Sequence, residues 1–241
     1  RRPPRSTLFP YTTLFRSERD VLVARPYLSR RTPYDTDALL SCPQIKLITG
    51  PRRTGKSTEA ILMLKNKNFA YLNFDDGQLL SAWDENAVWQ ALQQVYPAFD
   101  YLLLDEVQNL DGWDLWVSKL YRNGINLVIT GSNAKLLSSE MATLLTGRYI
   151  QVSMLPFSID EFFAWHHLEL KQLAPEQTAQ AEALQADYLR NGGYPETVIS
   201  RNIAQSYLST LFDSIVWKDT AKRHRVRNVS DLNDLAMYML S

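Results

Sequence analysis

The chain has 241 residues, 45% hydrophobic, 11% aromatic and 22% charged, with a mean hydropathy of −0.26. That composition is too apolar for an intrinsically disordered chain, and no run approaches the ~20 apolar residues a bilayer-spanning helix needs, so no membrane contact is expected. The lone Cys42 excludes an internal disulfide framework and suits a reducing, cytoplasmic compartment, and 26 basic residues balance 26 acidic ones.

Residues 1–17, RRPPRSTLFPYTTLFRS, back-translate codon by codon to a string that resembles a sequencing-library adapter read in frame. Such a scar has no place in fold reasoning, and few packed contacts are expected from it. It holds Arg1, Arg2, Arg5 and Arg16 and no acid, so the remaining chain carries −4. A mildly acidic protein gives no global argument for nucleic-acid binding. No Met follows the scar, and the chain stops at Ser241 inside an apolar pattern of Leu235, Met237, Tyr238 and Leu240. Both ends read as those of a metagenomic fragment.

Residues 18–43 are polar and Arg-rich, with Pro26 and Pro33, and read as an N-terminal helix and connector. From 44 to 155, short apolar runs alternate with helix-period segments. The runs are Ile45–Thr49, Phe69–Phe74, Tyr101–Leu104, Leu127–Thr130 and Tyr149–Val152. Runs without polar alternation suit parallel strands covered on both faces. Helices are predicted between them at 56–66, 77–95, 111–123 and 134–146. In the third, Trp113, Trp116, Val117 and Leu120 form one stripe at i, i+3, i+4, i+7. The alternation predicts an α/β fold with a doubly wound parallel sheet. Beyond Pro156 strands disappear, and helices are predicted at 158–167, 176–191, 195–201, 203–225 and 230–240. Asn191-Gly192-Gly193 supplies a C-terminal stop. The helical part divides into a lid-like region, 156–202, and the start of a truncated C-terminal domain, 203–241.

Gly50-Pro51-Arg52-Arg53-Thr54-Gly55-Lys56-Ser57 matches GxxxxGK[ST] after an apolar strand and ahead of a helix that begins Ser57-Thr58. That is the context a phosphate-binding loop requires. Glycines let the loop curl so that successive backbone N–H groups face one anion, and the following helix adds its dipole and free amides. Lys56 is expected on the β- and γ-phosphates of ATP and the Ser57 hydroxyl in the Mg²⁺ shell. Tyr101-Leu102-Leu103-Leu104-Asp105-Glu106 places Asp105 at the C-terminal end of a buried strand, where ligands bind in open α/β sheets. Asp105 suits Mg²⁺ through water, the Walker B role, and Glu106 suits the proton of an attacking water. Leu127–Asn133 is another strand ending in small polar residues. Thr130, Ser132 or Asn133 could orient water or sense the γ-phosphate, or Ser132 and Asn133 could cap the next helix. Arg148 is either a solvated charge or an arginine finger or nucleotide sensor.

These blocks resemble prokaryotic AAA-type P-loop ATPases of the additional-strand, catalytic-glutamate class that carry an extra C-terminal domain. The resemblance rests on ITGPRRTGKST, LLLDEVQNLDGWDLWVSKLY, LVITGSNAKLLSSEMATLLTGRY, LPFSIDEFF and NGGYPETV, spanning about Leu47 to Val198. It implies a five-stranded parallel P-loop core sandwiched by helices, ATP and Mg²⁺ as ligands, and hydrolysis with Glu106 as base. It also implies an arginine-finger role for Arg148, acting across a subunit boundary if the protein is a homo-oligomer. A strand, FAYLNF, lies between the loop strand and the acidic strand, as in that class.

The remaining features carry blander readings. Lys218, Lys222, Arg223, Arg225 and Arg227 make a basic stretch that fits a solvated face or a domain dock better than a phosphate-backbone contact. Adjacent His166 and His167 point about 100° apart on a helix and cannot share a metal, and His224 sits in the basic stretch. Cys42 lacks a nearby His and is not read as a nucleophile. Trp83, Trp89, Trp113 and Trp116 read as core. Function divides between an ATP hydrolase that drives conformational change on a protein or nucleic-acid partner and a slow or non-hydrolysing nucleotide switch. A small-molecule kinase lacks an acceptor constellation and is the weakest reading.

Overall fold

A computed structural model describes residues 18–25, 27, 30–132, 145–169, 177–221 and 226–240. The adapter-like segment 1–17, most of the helix predicted at 134–146, Asn133, and Lys222, Arg223, His224 and Arg225 lie outside the described residues. The chain divides into two compact units. The first ends at Met154 and the second begins at Leu155, with Arg52–Thr54 grouped into the second.

In the first unit, α1 spans 18–24 and α2 spans Thr36–Ser41. Next come β1 (Ile45–Gly50), α3 (Lys56–Leu64), β2 (Phe69–Asn73), α4 (Gly77–Ser81) and α5 (Glu85–Val95). β3 (Tyr101–Asp105), α6 (Trp113–Arg122), β4 (Leu127–Ser132) and β5 (Tyr149–Ser153) complete it. All pairings are parallel, in the order β2-β3-β4-β1-β5. Apolar runs become parallel strands because both faces are covered. Leu102 and Leu104 of β3 join one core with Val88, Leu92, Trp113, Trp116 and Val117. Leu103, between them, faces a second core with Leu40, Ile61, Leu64 and Tyr71. Each fully buried Leu contributes about 1.5–3 kcal/mol. The strand between β1 and β3 in space is β4; FAYLN, which lies between them in sequence, is the sheet edge.

Several local features depart from the sequence pattern for clear reasons. The helix predicted over 77–95 is interrupted because the Asp84 carboxylate accepts from Ala87 N at 2.7 Å and starts a new helix. Around that break, Trp83 packs edge-on against Trp116 at 5.1 Å and tilted against Phe74 at 5.6 Å. In β1, Lys46 is fully buried, although the strand reads as apolar. Its ammonium reaches the strand's N-terminal end and donates to Cys42 O at 2.6 Å and Asn126 Oδ1 at 3.3 Å. Arg19 of the polar N-terminal segment donates to Phe69 O at 3.0 Å and stacks on Tyr96 at 4.7 Å, seating α1 on the β2 edge.

The second unit is helical: α7 (Ile159–Trp165), α8 (Thr178–Asn191), α9 (Pro195–Ile199), α10 (Ala204–Ser214) and α11 (Val229–Leu240). Ser158 and Glu161 form a reciprocal capping box that opens α7. The helix predicted over 203–225 stays α-helical only to Ser214 and continues as a π-helical stretch, Ile215–Ala221. Phe162 anchors this unit, with Tyr188 at 5.4 Å, His166 at 4.7 Å and the Arg201 guanidinium at 4.3 Å. Gly192, with φ 66 and ψ −174, ends α8 in a backbone conformation that essentially only glycine adopts, so the helix stops there. Gly193 is there for another reason: a Cβ would meet Phe157 O at 2.1 Å. No helix among the described residues is long and apolar enough to cross a membrane.

Two stability tests follow from the second unit. Gly193→Ala forces backbone apart and should cost about 1–3 kcal/mol; Gly192→Ala meets open space and should cost only the strain of its glycine-only backbone, about 1–3 kcal/mol. Urea midpoints of the two variants give the comparison. Burial, then the Arg201 guanidinium, hold His166 below its ordinary value of 6.5. The unfolded chain therefore takes up this proton first, so the associated stability is full above pH 6.5 and falls as pH drops below it. His166→Phe should flatten that acid-side loss in urea titrations at pH 7 and pH 5.

Candidate active site at the carboxyl ends of the strands

The C-terminal ends of β1, β3 and β4 lie side by side at the point where strand order reverses. β1 runs directly into the glycine loop. Gly55, with φ 89, takes a left-handed conformation that only glycine adopts cheaply, and so lets the loop turn into α3. The first N–H groups of that helix have no partner within their own turn and form an anion-binding end. Lys56, the first residue of α3, is 4% exposed, and its ammonium donates to Pro51 O at 2.9 Å across the loop. A lysine held over the loop in this way can exchange a carbonyl oxygen for a phosphate oxygen.

Asp105 collects hydroxyls from three separate elements. Ser57 Oγ of α3 donates to Asp105 Oδ1 at 2.7 Å, and Thr130 Oγ1 of β4 donates to the same oxygen. Tyr71 OH of β2 donates to Asp105 Oδ2 at 3.0 Å. Burial and the Asp105 charge hold the Tyr71 phenol far above its usual range, so it remains a donor. Parallel register delivers these contacts. Asn73 pairs with Asp105 across β2–β3, and Leu104 with Ile129 across β3–β4, which sets Thr130 beside Asp105. A hydroxyl and a carboxylate oxygen 2.7 Å apart suit a Mg²⁺ ion, which keeps most of its waters and takes few protein ligands. Among the described residues no cluster of three or more His, Cys, Asp or Glu could hold a metal by itself.

Glu106 leaves the strand with φ 51, and its N–H donates to Thr130 Oγ1 at 3.1 Å. Its carboxylate accepts from the Gln108 amide. Burial raises the Glu106 carboxyl above its ordinary value of 4.5, while Lys56 and Gln108 oppose that shift. A carboxylate with a raised affinity for protons, one residue beyond Asp105, has the chemistry of a base.

The candidates read from sequence are distributed unevenly. Gly50, Pro51, Gly55, Lys56, Ser57, Thr58, Asp105 and Glu106 lie in or next to this cluster; Arg52, Arg53 and Thr54 complete the loop in sequence. Ser132 ends β4 opposite Gly50 and is buried, yet it is Thr130, two residues earlier, that contacts the acidic pair. Arg148 lies elsewhere. Its carbonyl accepts from Ile45 N and its guanidinium donates to Ser118 Oγ at 3.2 Å, at the opposite end of the sheet. Six residues of extended chain, about 20 Å, separate that position from Gly50. The strand period alone carries no information on which end of the sheet a flanking arginine occupies relative to the loop. Tyr71 and Gln108 also escaped notice, although a polar tip in the otherwise apolar FAYLN was a signal for the first.

An uncharacterized protein of Methanocaldococcus jannaschii is 32% identical over 215 residues, 86% of this chain and 48% of its own length. Another, from Haemophilus influenzae, is 33% identical over 210 residues, 81% of this chain and 50% of its own. The chain therefore spans about half the length of the curated relatives it matches. Among solved structures, a Walker-type ATPase of Pyrococcus abyssi aligns with a TM-score of 0.46 at 16% identity, over 85% of this chain and 80% of that one. The model of the AAA domain matches residues 43–163, half of the chain, and the protein belongs to that family.

Proposed function

We propose that this chain binds Mg-ATP and hydrolyses it, using the cycle to change conformation on a protein or nucleic-acid partner. The 2.7 Å bond between Ser57 Oγ and Asp105 Oδ1 carries the reading, because it joins the phosphate loop to the acidic strand at one point. Ser57 and Asp105 are the residues that would hold a magnesium ion. When bound, Mg²⁺ neutralises developing charge on the phosphate oxygens. The backbone N–H groups from Gly50 to Thr58, Pro51 excepted, cradle the phosphates, and Lys56 shifts from Pro51 O to a phosphate oxygen. Glu106 accepts the proton of the attacking water as the oxygen–phosphorus bond forms, and ADP leaves with the opposite oxygen. Ser132, beside Gly50 at the loop, senses the nucleotide's phosphate.

The position of Arg148 favours a second reading, in which an isolated chain is a slow switch. A finger about 20 Å from its own loop can serve only a neighbouring copy. Turnover then depends on assembly, while nucleotide binding does not.

Two measurements separate these readings. In Mg-ATP turnover and equilibrium binding, Lys56→Ala should weaken ATP binding about 10- to 100-fold. Glu106→Gln should keep affinity within about threefold and lower kcat by about 10²–10⁴. Turnover unchanged in Glu106→Gln would remove the base from the mechanism. For assembly, specific activity should rise with protein concentration, and Arg148→Ala should abolish the rise while ATP affinity stays unchanged. Activity independent of concentration and of Arg148 would sink the role in trans.

A further inference from the structure

Glu106 and Gln108 are two residues apart, a spacing at which side chains diverge on a helical turn. Here they meet because Glu106 takes φ 51 and the chain turns at once into the single 3-10 turn Val107–Asn109. A residue with a Cβ holds that conformation only when its surroundings over-determine it. They do so at several points. Glu106 N–H is fixed on Thr130 Oγ1, Asn109 N donates to Glu106 O at 3.1 Å, and Leu110 N donates to Val107 O at 3.1 Å. Asn109 Nδ2 also donates to Asp75 Oδ1 at 2.7 Å.

The turn is thus tied down without the Gln108 side chain. Its amide nitrogen donates to the Glu106 carboxylate, and its Oε1 is a buried acceptor with no hydrogen-bond partner. The orientation follows from chemistry, since an amide oxygen facing a carboxylate would be repelled. A buried acceptor left open beside a half-buried carboxylate is unusual in a settled core. An amide also presents a donor and an acceptor side by side. One can hold a base while the other holds the water that the base acts on.

We propose that Gln108 is the positioning residue of this site: its N–H fixes the Glu106 carboxylate, and its Oε1 accepts a hydrogen bond from the attacking water. The assignment rests on the reading of Glu106 as base. The water's first proton points to Glu106 and its second to Gln108, which turns an oxygen lone pair toward the phosphorus. The first proton moves to Glu106 as the new oxygen–phosphorus bond forms. Gln108 exchanges no proton and stays neutral throughout.

The test is a double-mutant cycle on the full chain, read by Mg-ATP turnover and by equilibrium ATP binding. Gln108→Met keeps the shape and removes both hydrogen-bonding atoms. It should lower kcat at least tenfold with KM and ATP affinity within about twofold. In the Glu106→Gln background the same substitution should cost nothing further, because there is no longer a base to position. Gln108→Glu keeps the acceptor, loses the donor and sets an anion beside Glu106; it should fail as Gln108→Met does. Equal losses in both backgrounds, a weakened ATP affinity or a faster Gln108→Met enzyme would each overturn the assignment. A parent chain that binds ATP without hydrolysing it at any protein concentration overturns the reading of Glu106 and this inference together. A parent that hydrolyses, with Gln108→Met unchanged, overturns this inference alone.

Discussion

The carboxylate of Asp105 is the point on which the first unit closes. It is 5% exposed, and an ionised carboxylate taken out of water without partners would cost several kcal/mol. Three hydroxyls offset that cost, each worth about 1.5–3 kcal/mol toward a charged acceptor. Because Ser57, Tyr71 and Thr130 come from α3, β2 and β4, the same bonds that satisfy the Asp105 carboxylate also register the elements against one another. The loop cannot shift along its strand without leaving Asp105 short of a donor. Local fold and site geometry are, in this sense, one constraint.

Much of this was legible in the sequence. The apolar runs of β1 through β4 state their parallel pairing, since strands covered on both faces lack polar alternation, whereas the edge strand β5 exposes Gln151 and Ser153. The break at Asp84 was not legible, because a continuous helix period hides a side chain that prefers to cap. Lys46 was hidden for the opposite reason: a long aliphatic stem satisfies the strand pattern while its ammonium finds Cys42 O and Asn126 beyond the strand.

In the site itself, sequence distinguishes residue types but not their direction. Thr130 and Ser132 both face small polar roles at the end of one strand, and only the β3–β4 register decides that Thr130 meets Asp105 and Glu106. Gln108 lies in a stretch where helix and turn are equally plausible from composition. Its proximity to Glu106 depends on a left-handed backbone, which no local pattern of side chains announces. Arg148 shows the same limit at larger scale, where direction along a strand converts a candidate neighbour into a residue at the far edge.

The backbone of Glu106 has a consequence for how this protein could be improved or degraded. Left-handed geometry at a residue with a long side chain stores about 1–3 kcal/mol. Glycine relieves that strain fully and asparagine in part, and neither carries a carboxylate to the reaction. Selection for thermal robustness alone would therefore drift toward Gly or Asn at this position, and would yield sturdier proteins with silent sites. A library ranked by melting temperature would discard the carboxylate first, whereas one that demands a carboxylate at this position would keep the strain.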